Sequence, residues 1–132
     1  MVPELSQAAA DLLFLGLDHG IDSVRVAGGP MTPFVVTEVD GERHLQRFVG
    51  STLDESIEAA VAAIRAAPPG SRSVLVYDGY LTVQGQRSDG IFAELRDEHG
   101  VTILAQRYRP KRLQGAFETI GRPGLVPGPG KL

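Results

Sequence analysis

Apolar positions recur along this chain with two different periods, and the switches between them divide it into elements. From Pro3 to Leu17 the residues Leu5, Ala8, Ala9, Leu12 and Leu13 follow the i, i+3, i+4 spacing of one helical face. Pro3 suits a first turn and Glu4 suits the positive helix end. Phe14, Leu15 and Leu17 widen the stripe until the last turn is apolar nearly all round, a pattern that calls for burial on two sides or contact with another subunit. Gly16 and Gly20 are expected to end this helix, and residues 18–33 to form a loop with at most a short strand at Val24 and Val26.

The period then shortens to two. Phe34 to Val39 and Glu42 to Val49 are β-rich runs flanking Asp40-Gly41, a pair suited to a two-residue turn because both central positions need positive φ. That turn sets Glu38 opposite Arg43, a cross-strand pair of opposite charge. A second helical pattern follows over 52–67. Thr52 and Glu55 have the spacing of a capping box, Leu53, Ile57, Ala60, Val61 and Ile64 form the stripe, and Pro68-Pro69-Gly70 stops it.

Residues 73–109 read as three long neighbouring strands. Val74, Leu75, Val76 and Tyr77 are consecutive and apolar, so both faces of this sheet need cover. Asp78-Gly79 is either a tight hairpin or a β-bulge in one long strand that reverses at Gln84-Gly85. The second is preferred, because a hairpin at 78 leaves only short arms. Glu98-His99-Gly100 fits a three-residue loop, which pairs Leu95 with Ile103 and Ala93 with Ala105. In that register one face carries Val74, Val76, Ile91, Ala93, Leu95, Val101, Ile103 and Ala105, and the 52–67 helix is its natural cover. The other face is aromatic and carries Leu75, Tyr77, Leu81, Phe92, Leu104 and Tyr108, with Glu94, Arg96 and Gln106 among them. Beyond Arg109 a short helix over 113–120 is expected. The Gly- and Pro-rich residues 121–132 are expected to form no regular element and to be a flexible tail.

The fold expected is therefore α+β, in the order α-β-β-α-β-β-β: a mostly antiparallel sheet against one main helix, 52–67, with an N-terminal helix, a single domain over 1–120 and the tail 121–132. A chain of 132 residues is long enough to bury one core without staples. With 42% hydrophobic and 22% charged residues it has the composition of a soluble globular protein, and no basic residue precedes the apolar run at Leu12 to Leu17, so the expected location is cytoplasmic and no membrane is involved. Having no cysteine excludes thiol catalysis, a cysteine-based zinc site and a thiol redox switch.

Charge is unevenly spread. Residues 1–99 hold seven Lys and Arg against fifteen Asp and Glu, whereas residues 100–132 hold six against one. The basic strip of Arg107, Arg109, Lys111 and Arg112, with Tyr108 among them, is a candidate surface for an acidic partner, or else lies over the acidic half of the chain itself. Nucleic acid is disfavoured, because one tyrosine is a small stacking platform and the whole chain is acidic.

Motifs of catalysis are weak. Asp78 with Glu94-Leu95-Arg96 loosely imitates the carboxylate set of a metal-dependent nuclease, but the two carboxylates lie on opposite faces in the preferred register and Arg serves poorly as a base. Asp18, His19 and Asp22 look like a solvated helix end, and His44 and His99 show no ligand spacing. No serine sits in a Gly-x-Ser-x-Gly context, and no glycine pattern forms a phosphate loop. No metal, cofactor or catalytic residue is expected. The expected function is a small non-enzymatic binding or protein-interaction module, homodimeric through the aromatic sheet face or through paired strand edges. The alternative is a small-ligand-binding protein or small enzyme with a pocket on that face. The candidate ligand or interface residues are Tyr77, Phe92, Glu94, Arg96, Gln106 and Tyr108.

Overall fold

A computed structural model describes residues 5–28, 30–111 and 115–132. Two helices and six strands follow in the order α1 (Gln7–Ala27), β1 (Phe34–Val39), β2 (Glu42–Arg47), α2 (Leu53–Arg65), β3 (Arg72–Val83), β4 (Gln86–Asp97), β5 (Gly100–Arg109) and β6 (Glu118–Leu125). The strands form one antiparallel sheet in the order β2-β1-β3-β4-β5-β6, with a helix on each face. The α+β class and the antiparallel sheet agree with the sequence reading. No helix among the described residues is long and apolar enough to cross a membrane.

α1 runs ten residues past the expected end. Ser6 caps it by accepting the Ala9 N–H at 3.1 Å, Gly28 closes it in the left-handed conformation at φ 75°, and the Gly28 N–H returns to the Val24 carbonyl. The expected start at Pro3 and Glu4 lies outside the described residues. Gly16 and Gly20 do not stop the helix. They let its backbone settle on the sheet: a Cβ at Gly16 would stand 2.8 Å from Val74, and one at Gly20 would stand 2.7 Å from Val76 and 2.9 Å from Ile91. Ala9, Leu12, Leu13, Leu17 and Val24 complete one buried stripe, while Phe14 and Leu15 stay exposed on the outer side.

The first hairpin is as read. Asp40 and Gly41 have φ of 52° and 80°, Glu38 pairs with Arg43, and their side chains meet at 2.9 Å. Burial alone would raise the Glu38 carboxyl. Hydrogen bonds from Arg43 and from Arg72, at 2.6 Å, hold it below the usual carboxylate range instead. At the start of α2, Thr52 accepts the Glu55 N–H at 3.1 Å, but the Glu55 carboxylate returns to the N–H of Ser51 and not to that of Thr52.

β3 is one long strand that turns at Gln84-Gly85, where φ is 51° and 78°, and no register shift interrupts its pairing with β4 at Asp78-Gly79. The next turn differs by one residue from expectation. Asp97 pairs with Gly100, so Leu95 faces Thr102 and Ala93 faces Leu104. A one-residue slip moves every side chain of a strand to the other face. Leu104 and Tyr108 therefore join Val74, Val76, Ile91, Ala93 and Leu95, and Ile103 and Ala105 join Leu75, Tyr77 and Phe92. The helices also cover the faces opposite to those expected: α1 covers the Val74 side, and α2 covers the aromatic side.

The Gly- and Pro-rich end is ordered where the sequence reading places a tail. β6 pairs with β5, and a register shift between Ala105 and Arg107 sets Gly121, Arg122 and Pro123 opposite Gln106 alone. Pro123 lacks an N–H and suits an edge strand with an irregular ladder. The expected helix over 113–120 begins outside the described residues, and its last three residues belong to β6.

Candidate functional site

Alternation along β3 and β4 sends two tyrosine–carboxylate pairs to opposite faces of the sheet. On the α2 side Tyr77 and Phe92 are direct cross-strand partners, and their rings stack at 5.3 Å with 3° between planes. Next to them Glu94 is fully buried, at 0% exposure. A charge in such a place must be hydrogen-bonded. The Tyr77 hydroxyl donates to it, the Lys131 N–H reaches its two oxygens at 2.9 and 3.0 Å, and the Leu132 N–H donates at 3.0 Å. Burial, and then the carboxylate beside it, push the Tyr77 phenol far above its usual value, so it remains a donor.

The 126–132 segment reaches this point by passing from the β6 edge across the mouth of the α2 face. Val126 donates its N–H to the Ile103 carbonyl at 3.0 Å, and Val126 and Leu132 pack, half-buried, on the α2 cluster. Gly130 crosses directly over Glu94, where any Cβ would overlap the carboxylate. Between the segment, the first turns of α2 and the sheet lies a cavity of about 460 Å³. Leu53, Ile57, Tyr77, Phe92 and Ile103 give it apolar walls, Asp54 and Asp89 stand in its lining, and Val126, Pro129, Gly130 and Lys131 close one side.

On the α1 side the Tyr108 hydroxyl lies 2.8 Å from both oxygens of Asp78. Burial pushes the Asp78 carboxyl upward and Asp89 adds to this, against hydrogen bonds from Tyr108 and from the backbone of Met31 and Gly79. Burial and Asp78 likewise raise the Tyr108 phenol. This pair packs against the α1 cluster, with Tyr108 2% and Asp78 7% exposed, and Asp78 also contributes to the lining of the cavity.

The six candidate residues thus fall into three places. Tyr77, Phe92 and Glu94 come together at the cavity. Gln106 and Tyr108 face α1. The Gln106 amide holds the irregular part of the β5–β6 ladder together by donating to the Ile120 and Gly121 carbonyls at 3.1 and 3.2 Å. Arg96 is exposed and lines a separate hollow with Arg65 and Glu98. In the basic strip, Arg109 is paired with Glu118 at 3.0 Å, Lys111 runs its stem past Gly28, Arg107 is half-buried and Arg112 lies outside the described residues.

No protein family, curated protein or solved structure matches this chain. Asp78 and Glu94 face opposite ways, as the sequence reading has it, and do not converge on one ion. Asp22 meets Arg25 at 3.4 Å, and His19 sits edge-on to Phe34 at 5.0 Å. Among the described residues no group of three His, Asp or Glu is arranged to hold a metal. Sequence reasoning passed over Leu53, Ile57 and Ile103 as cavity walls, because they read as ordinary core positions. It also passed over Lys131 and Leu132, whose contribution is backbone N–H and leaves no side-chain signal.

Proposed function

We propose that this protein is a non-enzymatic binding module whose recognition site is the cavity between the first turns of α2 and the aromatic part of the sheet. The observation that carries the reading is the 460 Å³ space itself, walled by Leu53, Ile57, Phe92 and Ile103 and floored by the stacked Tyr77. Binding sites combine apolar walls with a few fixed polar groups. The two buried carboxylates are each engaged by a tyrosine hydroxyl and by backbone N–H groups, an arrangement that fixes their orientation. A neutral solvatochromic probe, N-phenylnaphthylamine, should enter the cavity with saturable, blue-shifted emission, and Leu53→Trp at the rim should block it. Uptake that is absent, or indifferent to Leu53→Trp, contradicts the reading.

Self-association is the second reading. The aromatic face has little surface to offer it, since Tyr77 and Phe92 are only 7% and 9% exposed beneath α2. The strand edges are also blunted: β2 is rich in charged side chains, and β6 carries Gly121, Pro123 and Gly124. What favours a homodimer is the outer side of α1, where Phe14 and Leu15 are 47% and 42% exposed side by side. Phe14→Glu should then lower the mass measured by light scattering, and an unchanged mass argues against that contact.

A further inference from the structure

The 126–132 segment is held the way a ligand is held. Its one backbone hydrogen bond to a strand is at Val126, residues 127–131 are exposed, and its other anchors are the half-buried Leu132 and the two N–H groups on Glu94. It adds no strand and no helix. Pro127 and Pro129 keep it extended, and Gly128 bends it at φ 85°. Glu94, by contrast, belongs to the middle of β4, and the segment lies directly over its carboxylate. Of the protein donors to this carboxylate, the Tyr77 hydroxyl comes from the sheet and the N–H groups come from the segment, so a polypeptide backbone is what the seat holds here.

These features bear on what the proposed module binds, and the inference rests on that reading. We propose that the ligand is an extended polypeptide segment from another chain, for which 126–132 is the internal stand-in. The seat specifies its chemistry. A glycine crosses Glu94 without moving its carboxylate, which a Cβ there would displace from its N–H donors. The next two residues must have free N–H groups to donate to Glu94, which excludes proline at both. The second of them should be apolar, as Leu132 is, and an apolar residue four places before the glycine should take the position of Val126. A partner that displaces the segment also gains the cavity, since Val126, Pro129, Gly130 and Lys131 form one of its walls.

The test uses the full chain and a labelled heptapeptide, Val-Pro-Gly-Pro-Gly-Lys-Leu, that copies residues 126–132. A tethered segment competes at an effective concentration on the order of millimolar. The double variant Lys131→Pro, Leu132→Pro removes both donors and so the competitor. It should bind the peptide at least ten-fold more tightly than the unaltered chain does, and a peptide with proline at its last two positions should not bind. In the unaltered chain, excess peptide should speed amide exchange at its own Lys131 and Leu132, which keeps the test decisive if the double variant folds poorly. Equal affinity for both proteins, or unchanged exchange rates, overturns the inference. If the peptide fails while N-phenylnaphthylamine still enters the cavity, the peptide ligand is wrong and the binding module stands. If the unaltered chain takes up neither, both fall.

Discussion

The two faces of this sheet bury the same chemical pair, a tyrosine hydroxyl on a carboxylate, and finish it differently. On the α1 face Asp78 and Tyr108 lie under a helix that approaches the strands through Gly16 and Gly20, and among the described residues the donors to Asp78 are Tyr108 and the backbone of Gly79 and Met31. On the α2 face the helix is shorter, a cavity remains beside its first turns, and Glu94 is completed by the N–H groups of a segment that belongs to no element. One carboxylate is completed by the core, and the other by backbone that reaches it from outside the sheet.

Breaking the closed face should have the largest effect. Gly20→Val places a Cβ 2.7 Å from Val76 and forces α1 off the sheet. Overpacking of this kind costs about 3 kcal/mol, and thermal unfolding should show Tm lowered by roughly 10 °C or more. Tyr108→Phe should come next. It removes a hydrogen bond to a buried carboxyl and costs about 2 kcal/mol, read from the midpoint of urea unfolding, with the amides of Lys131 and Leu132 unchanged. The α2 counterpart, Glu94→Gln, should cost about 1 kcal/mol globally and yet speed exchange at those two amides, because the single neutral amide oxygen is a weaker acceptor than the carboxylate. An equal global cost for the two substitutions, with no local effect of the second, would erase the contrast.

The smallest effect is in pH dependence. The folded-state carboxyl of Asp78 lies above its unfolded value, so the native chain holds more protons than the unfolded chain between the two. Asp78 therefore lends full stability below the unfolded value and loses it as pH rises through the folded one. Glu38 works in the opposite sense: with its carboxyl lowered by Arg43 and Arg72, its contribution is present above the ordinary carboxylate value and is lost as pH falls through the folded one. Asp78→Asn should flatten the loss on raising pH, and Glu38→Gln should flatten the loss on acidification, both read from urea midpoints measured across the acid range.

Much of the frame was legible because local chemistry decides it. Asp40-Gly41 and Gln84-Gly85 both take positive φ and fix their hairpins, and Thr52 starts α2 where its cap requires. Gly16 and Gly20 misled because a glycine that ends a helix and one that admits a neighbour look alike until the neighbour, Val74 or Val76, is known. The slip at Gly100 came from counting the loop as three residues, and it carried Gln106 and Tyr108 onto the wrong face. β6 was hidden by its Gly and Pro content, which the irregular ladder and the Gln106 amide accommodate. At the site, Tyr77, Phe92 and Glu94 could be picked out as aromatic and charged residues on one face, whereas the donors from Lys131 and Leu132 depend on where the chain returns.

The contrast between a carboxylate completed by the core and one completed by the 126–132 segment is tested most directly by native-state amide exchange across a series of low urea concentrations. Lys131 and Leu132 should exchange by a local opening that is insensitive to urea and far easier than the opening of β3 and β4, whose central amides should follow global unfolding. If Lys131 and Leu132 exchange only with global unfolding, the 126–132 segment is part of the core and the α2 face is as closed as the other.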